Sequence, residues 1–288
     1  LAVSTKTQYF AREFPDRFFY AGVAEANMMG VAAGLALGGK LPFASTFSIF
    51  ATARAFDQLR QSIALPRLNV KIVATHGGIT VGEDGPTHHA IQDLALACSL
   101  PNMTVVVPAD ATSTERAVRA AAAYDGPVFV RLPRSDMPDV YSEKPAFEIG
   151  RAITLRQGKD TTVIGVGRGV SLALEAAELL ALEGISCRVI DMHTLAPIDR
   201  DAVVEAAEET GSIVTVEEHI AHGGLGSIVA RIVAETRPVP LRMVALEHRF
   251  FPSGKAEELL RLAGLTPERV AAAVHDVLAT RAVGALEP

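Results

Sequence analysis

Short apolar runs rich in β-branched residues alternate with longer Ala- and Leu-rich segments of helical period along the chain. A parallel strand that is buried on both faces is apolar throughout, and it needs a crossover, usually a helix, to reach the next strand. The alternation therefore predicts an α/β fold built from doubly wound, largely parallel sheets.

The first half of the chain contains five apolar runs of strand length. Strands are predicted near residues 17–22, 41–45, 70–75, 104–107 and 128–131. Between these strands, helices are predicted to open near Glu25, Phe47, Ala90 and Asp110. The last of these helices follows Pro108-Ala109-Asp110, where an acidic residue is suited to cap the helix N-terminus.

Residues 134–150, RSDMPDVYSEKPAFEIG, are rich in proline and charge and have no period, which is typical of a linker. The predicted organisation is a first domain over 1–137, a linker over 138–150 and a second α/β domain over 151–288. Strands of the second domain are predicted near 161–167, 186–192, 212–218 and 241–246. Helices are predicted after Gly169, Asp199 and Gly224, with two more near the C-terminus.

Composition excludes several classes of function. The net charge of -6 argues against nucleic-acid binding, which usually requires a basic face. No apolar run reaches the roughly 18 residues that a membrane helix needs, and the first ten residues lack the pattern of a secretory signal. Cys98 and Cys187 lie in apolar runs that suit buried thiols, so we expect a cytoplasmic protein.

Polar side chains are concentrated in residues 75–94, THGGITVGEDGPTHHAIQDL, directly after a predicted strand. This loop contains His76, Glu83, Asp84, His88 and His89, and its glycines allow tight turns and close approach to a ligand. Histidine and aspartate move protons and bind hydroxyls, and sites in α/β folds lie at the carboxyl ends of strands. The residues alone leave two alternatives open, a structural turn and a metal site.

The same loop resembles the transketolase motif, in which a strand-ending histidine is followed by GEDGPTH. The matching residues are His76, Asp84 and His88. Deoxyxylulose-phosphate synthases have a related DGPTH stretch but usually lack the histidine at the position of His76 and the glutamate at the position of Glu83. The resemblance therefore favours transketolase.

Three other segments are similar to the same family. YAGVAEANMMGVAAGLAL resembles the segment with the glutamate common to thiamine-diphosphate enzymes, which falls on Glu25. LPFASTFSIFATARAFDQLR resembles the aromatic stretch that lines the pyrimidine pocket, and its matching rings are Phe50 and the neighbouring Phe47. VFVRLPRSDMP resembles the strand end with a phosphate-binding arginine, which falls on Arg134, and Ser4 matches a serine at the same phosphate.

The resemblance covers only the second half of a transketolase. It implies that Glu25 and His76 are catalytic and that Glu25, Phe47 and Phe50 bind the cofactor, thiamine diphosphate. The substrate, a sugar phosphate, would contact His76, Asp84, His88, Arg134 and Ser4. No metal ligand is expected on this chain, because a separate N-terminal subunit would hold Mg2+ and the diphosphate. The implied assembly is a dimer of heterodimers that transfers a two-carbon ketol unit from a ketose phosphate to an aldose phosphate.

Three other functions remain as alternatives: half of a 1-deoxyxylulose-5-phosphate synthase, the β subunit of a 2-oxoacid dehydrogenase, and a non-catalytic binding homologue. Two further motifs are set aside. GVGRGVSLAL at 165–174 lacks the third glycine of a dinucleotide-binding loop, because Val170 stands there. The glycines of 217–227, EEHIAHGGLGS, could hold an anion at a helix start but are expected to serve packing.

Overall fold

The computed structural model of the protein describes residues 1–284 and contains two five-stranded sheets with helices packed against them. In the first sheet the strand order is β1-β2-β4-β3-β8, and in the second it is β10-β9-β6-β7-β5. The strands are Phe43–Phe47 (β1), Lys71–Thr75 (β2), Thr104–Val106 (β3), Val128–Arg131 (β4), Ile153–Arg156 (β5), Thr161–Gly165 (β6), Cys187–Asp191 (β7), Thr194–Ala196 (β8), Ile213–Ile220 (β9) and Leu241–Leu246 (β10). Among the strands of residues 1–284, β5 and β8 alone pair antiparallel with their neighbours, so the predicted α/β fold with largely parallel sheets is confirmed.

The α-helices are Gln8–Glu13 (α1), Glu25–Leu37 (α2), Phe56–Gln58 (α3), Asp93–Cys98 (α4), Ala111–Ala123 (α5), Gly169–Leu182 (α6), Arg200–Thr210 (α7), Leu225–Glu235 (α8), Ala256–Leu262 (α9) and Pro267–Gly284 (α10). Two π-helical segments, Phe50–Arg54 and Leu59–Ala64, flank α3. None of the helices within residues 1–284 combines the length and the apolar character needed to cross a bilayer.

Two local predictions are wrong. Residues 18–24 have no strand partner, and Phe19 and Tyr20 expose about two thirds of their surface, so their β propensity is not used in a sheet. The helix expected near Ala90 begins only at Asp93. Ala90 is held extended by a two-bond bridge to Gly78, which delays the start of the helix.

The prediction that α5 begins at Asp110 is confirmed. The Asp110 side chain accepts a hydrogen bond from the Ser113 backbone N–H at 2.7 Å, which completes a capping box. Its other carboxylate oxygen accepts from the backbone N–H groups of Val140 and Tyr141, both at 2.9 Å. The Tyr141 hydroxyl then donates to Asp191 at 2.7 Å, so the segment between the sheets is fastened to both of them.

Strand β8 joins the two halves of the chain in a way that the sequence pattern did not predict. It follows β7 of the second sheet, yet it pairs antiparallel with β3 of the first sheet, with Val105 opposite Ala196 and Val106 opposite Thr194. The edge strand of the first sheet therefore comes from residues about 90 positions after its partner strand β3. Packing between the two halves is consequently part of the fold of the first sheet.

A buried arginine connects the carboxyl ends of the strands in the first sheet. Arg131, the last residue of β4, donates through Nε to Asp93 at 3.0 Å and through Nη2 to the carbonyl groups of Ala90 and Glu218. Ser48 donates to the same Asp93 oxygen at 2.6 Å. Arg131 thus holds the starts of two helical segments and strand β9 of the second sheet together.

We expect Arg131→Met to lower the free energy of unfolding by about 3–5 kcal/mol, because Asp93 would remain buried without its cation. Urea denaturation followed by circular dichroism measures the loss. Arg119→Met is the matched control, since Arg119 is exposed on α5 and pairs with Glu115 on the same helix, and it should cost less than about 0.5 kcal/mol. A loss below about 1 kcal/mol for Arg131→Met would show that this ion pair does not hold the fold together.

Candidate active site

The histidine loop, residues 75–94, folds back over the carboxyl ends of the first sheet and depends on two glycines. A Cβ on Gly77 would lie 2.1 Å from Arg131 Nε, and a Cβ on Gly78 would lie 2.1 Å from Glu218 Oε1. Gly78 also has a φ of +83°, which side chains with a Cβ rarely adopt. The loop can therefore lie directly on the buried Arg131 only because both positions are glycine.

Four rings form a continuous platform beside this loop. His76 stacks on Phe47 with a centroid distance of 3.6 Å, and Phe47 is nearly parallel to Phe50 at 5.8 Å. His88 meets the edges of both phenylalanines, at 6.2 Å from Phe47 and 5.2 Å from Phe50. The edge-on contacts of His88 are a favoured arrangement for aromatic rings, whereas His76 lies almost face to face with Phe47. Phe47 and His76 are buried, so Phe50 and His88 form the more accessible part of the platform.

His76 lies at the buried end of the platform in an unusual backbone conformation. Its φ is +60°, a left-handed value that a non-glycine residue keeps only where its surroundings hold it. Burial and, to a smaller extent, the nearby Arg134 cation together lower the pKa of His76 to about 4, against the raising effect of Asp84. At neutral pH the imidazole is uncharged, with one nitrogen able to donate and one able to accept a hydrogen bond.

Arg134 and Asp84 form the polar edge of the site. Arg134 Nη1 donates to the Val81 carbonyl and lies 3.4 Å from Asp84 Oδ2. Both side chains are more than one third exposed, so they can still contact a ligand from solvent. Ser4 is different, because it lies in an exposed turn before α1, and no side-chain hydrogen bond among residues 1–284 joins it to the histidine loop.

Glu25 is the first residue of α2 and is almost completely buried. Its Oε2 accepts a hydrogen bond from Arg54 Nη1 at 2.9 Å. The Arg54 guanidinium lies over the Phe50 ring, with Cζ 4.2 Å from the ring centroid. Glu25 and Phe50 therefore bind the guanidinium, a planar, nitrogen-rich group that donates a hydrogen bond and stacks. An aminopyrimidine is also planar and nitrogen-rich and could make the same two contacts.

Two arginines that the sequence motifs did not identify contribute to the site. Arg54 lies on a π-helical segment, four residues after Phe50, and this spacing puts the two side chains on the same face. Arg168 comes from the second half of the chain and donates to the Ser135 hydroxyl at 2.7 Å and to the Asp136 carbonyl. It thereby fixes the loop that follows Arg134. The contacts of Arg54 with Glu25 and of Arg168 with Ser135 join residues about 30 positions apart, which local sequence patterns do not show.

The two motifs that were set aside have structural roles. A Cβ on Gly169 would lie 2.1 Å from the Val216 carbonyl oxygen, so this glycine allows α6 to pack closely on β9. At the start of α8, the backbone N–H groups of Leu225 and Gly226 donate to Glu217 at 2.7 and 2.8 Å. Burial raises the pKa of Glu217 to about 8. A protein carboxyl group thus occupies the position where an anion could have bound.

The alternative of a metal site is not supported by the described geometry. Within residues 1–284, no group of three or more His, Cys, Asp or Glu side chains converges to hold a metal ion. His76 instead stacks on Phe47, and His88 accepts from or donates to the Thr87 hydroxyl at 2.9 Å. Asp84 faces Arg134.

Comparison with known proteins gives consistent results. Residues 1–139 match the family model "Transketolase, pyrimidine binding domain", and residues 150–270 match "Transketolase, C-terminal domain". A Methanocaldococcus jannaschii protein with the provisional name transketolase C-terminal section is 47% identical over 94% of this chain and 86% of its own length. The 6-deoxy-6-sulfo-D-fructose transketolase subunit SqwH of Clostridium sp. is 41% identical over 96% of this chain and 86% of its own length.

A solved structure described as "Split gene transketolase, inactive beta4 tetramer" superposes with a TM-score of 0.90 at 51% identity. The match covers 96% of this chain and 89% of that chain. The chain therefore belongs to the transketolase family, of which it contains the pyrimidine-binding and C-terminal domains.

Proposed function

We propose that the protein is the C-terminal subunit of a split, thiamine-diphosphate-dependent transketolase that transfers a two-carbon ketol unit from a ketose phosphate to an aldose phosphate. The observation that carries this proposal is the convergence of a buried glutamate with the ring platform. Glu25 lies within reach of a group stacked on Phe50, and Phe50 is linked through Phe47 to His76. This combination provides both a pyrimidine pocket and a proton-carrying group beside it.

We propose that a diphosphate-binding domain completes the site, since the two domains matched here are the pyrimidine-binding and C-terminal ones of the family. We propose that a separate N-terminal subunit binds the diphosphate and Mg2+, and that two copies of each subunit assemble. The Clostridium relative is named as a subunit, and the similar solved structure is that of a split-gene transketolase, which supports this arrangement. Both cysteines of this chain are free thiols, which fits the reducing cytoplasm as its location.

Each residue of the site has a defined task in this proposal. Thiamine diphosphate, when bound, supplies a nucleophilic carbon that accepts the two-carbon unit. The Glu25 carboxyl group holds the proton shared with the ring nitrogen of the pyrimidine, and Phe50 orients the ring by stacking. His76 is uncharged at neutral pH and can donate to the reacting oxygen of the sugar.

The polar edge of the site is suited to a phosphorylated sugar. The planar guanidinium of Arg134 can donate two parallel hydrogen bonds to the oxygens of one phosphate group. Asp84 faces this arginine and His88 borders Phe50, so we propose that both bind sugar hydroxyls. A phosphate-binding arginine favours a sugar phosphate over a 2-oxoacid, whose carboxylate is part of the reacting end. We propose the exposed Ser4 as a further contact of the same phosphate.

A coupled assay with a ketose-phosphate donor, an aldose-phosphate acceptor, thiamine diphosphate and Mg2+ tests the function. We expect activity only when this chain is mixed with its diphosphate-binding partner. Glu25→Gln should reduce kcat by at least about 100-fold, because the amide cannot exchange the proton, while assembly by size-exclusion chromatography is retained. Glu115→Gln, on the exposed surface of α5, is the control. Near-normal turnover of Glu25→Gln would contradict the proposed role.

Arg134→Ala should raise KM for a phosphorylated donor by about tenfold or more, since a charged hydrogen-bonding partner of the phosphate is lost. The same variant should change the kinetics of a non-phosphorylated ketose donor, such as erythrulose, much less. Steady-state kinetics with both donors separate phosphate binding from a general disturbance of the histidine loop. An equal loss with both donors would assign Arg134 a purely structural role through Val81 and Asp84.

His76 should remain uncharged down to about pH 5, because burial and Arg134 lower its pKa to about 4. In the unfolded chain the imidazole binds its proton near pH 6.5. The unfolded state therefore holds more protons between about pH 6.5 and 4, and His76 makes the protein less stable as the pH falls through this window.

Two measurements check this expectation. Histidine NMR titration should show a midpoint for His76 well below 6. His76→Asn, which tolerates a positive φ, should reduce the pH dependence of the urea midpoint over the same window. A His76 midpoint near 6.5 would contradict the buried, neutral state.

A further inference from the structure

Arg54 makes two contacts that no motif predicted, and both are with groups of the pyrimidine pocket. Its Nη1 donates to the buried Glu25 carboxylate at 2.9 Å, and its guanidinium covers the Phe50 ring at 4.2 Å. Roughly half of the Arg54 side chain is exposed, whereas Glu25 is 3% exposed. The arginine therefore reaches inward from the surface and covers a carboxylate that is otherwise closed off by the protein.

The surroundings of Phe50 leave little room for a second flat group. Phe47 is stacked near the same ring, His88 meets its edge, and the guanidinium of Arg54 lies over it. A guanidinium is planar, carries several N–H donors and stacks on aromatic faces. An aminopyrimidine is also planar, nitrogen-rich and able to stack. Both groups would bind Glu25 and Phe50 with the same kind of contact, so one excludes the other.

We propose that Arg54 is a resident occupant of the pyrimidine pocket, which thiamine diphosphate must displace in order to bind. The proposal rests on the proposed function, because it takes Glu25 and Phe50 to be the pyrimidine site. It adds that the free chain holds its pocket in a closed, ion-paired state. Apparent affinity for the cofactor then equals the intrinsic affinity multiplied by the fraction of molecules in which Arg54 has moved out.

The contacts of Arg54 are strong enough to close the pocket and weak enough to release it. An ion pair with one half-exposed partner stabilises the closed pocket only slightly, and the cation over the Phe50 ring stabilises it by a similar amount. Removal of the arginine should therefore raise the fraction of molecules with an open pocket about threefold to tenfold. The exposed side chain has solvent in which to move, so displacement requires no unfolding of the π-helical segment Phe50–Arg54.

The test measures cofactor affinity rather than turnover. Thiamine diphosphate with Mg2+ is titrated by calorimetry into the full chain together with its partner subunit, and thiamine is titrated into the full chain alone. Arg54→Ala should bind both ligands about threefold to tenfold more tightly than the parent protein. Arg54→Lys should lie between the two, because it keeps the positive charge and loses the flat donor group.

Two controls make the result specific. Arg60→Ala removes an exposed arginine from the adjacent π-helical segment Leu59–Ala64 and should leave affinity unchanged. Methylguanidine at millimolar concentration should weaken thiamine binding to Arg54→Ala, because it refills the vacated position. It should affect the parent protein much less. A purely structural role of Arg54 would not produce this competition.

The outcomes separate the two proposals. Equal or weaker binding by Arg54→Ala, with normal binding by the parent protein, would overturn the displacement role and leave the proposed function intact. No binding of thiamine diphosphate by any variant, with the partner present and the folded state verified by circular dichroism, would overturn both. Tighter binding with competition by methylguanidine would establish Arg54 as the resident occupant.

Discussion

The buried guanidinium of Arg131 is the interaction on which the rest of the site depends. A charge removed from water has to be paired and hydrogen-bonded, and Arg131 pairs with Asp93 and donates to the carbonyl groups of Ala90 and Glu218. Ala90 and Asp93 lie in the C-terminal part of the histidine loop and Glu218 lies in strand β9, so this one charge fixes the loop and the start of α4 against β9. Gly77 can pass over this group only without a side chain.

The second half of the chain supports the site from behind rather than lining it. Glu218 accepts from the Thr80 backbone N–H at 2.8 Å, and Arg168 holds Ser135 beyond Arg134. Strand β8 completes the first sheet from the same side. The rings of the platform all come from the first half. The pyrimidine-binding half would therefore lose its loop geometry without the C-terminal half, which explains on physical grounds why both are present in one chain.

Local patterns in the sequence predicted the elements whose causes are local. The α/β alternation, the Asp110 cap and the position of Glu25 at a helix start all depend on neighbours within a few residues. Strand β8 depends on a partner far away in the chain, and residues 18–24 have strand composition without a partner strand. The resemblance to the family gave Phe47, Phe50, His76, His88 and Arg134 as site residues, but it did not predict that the rings pack on one another. Arg54 was missed because its role depends on Glu25, which lies 29 residues earlier in the chain.

A subunit that provides half of a binding site faces a specific electrostatic problem. The pocket needs a buried carboxyl group at Glu25, but a buried charge without a partner destabilises the fold before the cofactor arrives. A neighbouring cation can pair with this carboxylate, provided that the cofactor can displace it. Arg54 meets both conditions, because its guanidinium pairs with Glu25 while half of its side chain remains in solvent. In the proposed split enzyme, this contact would pair the Glu25 carboxylate until the cofactor displaces Arg54.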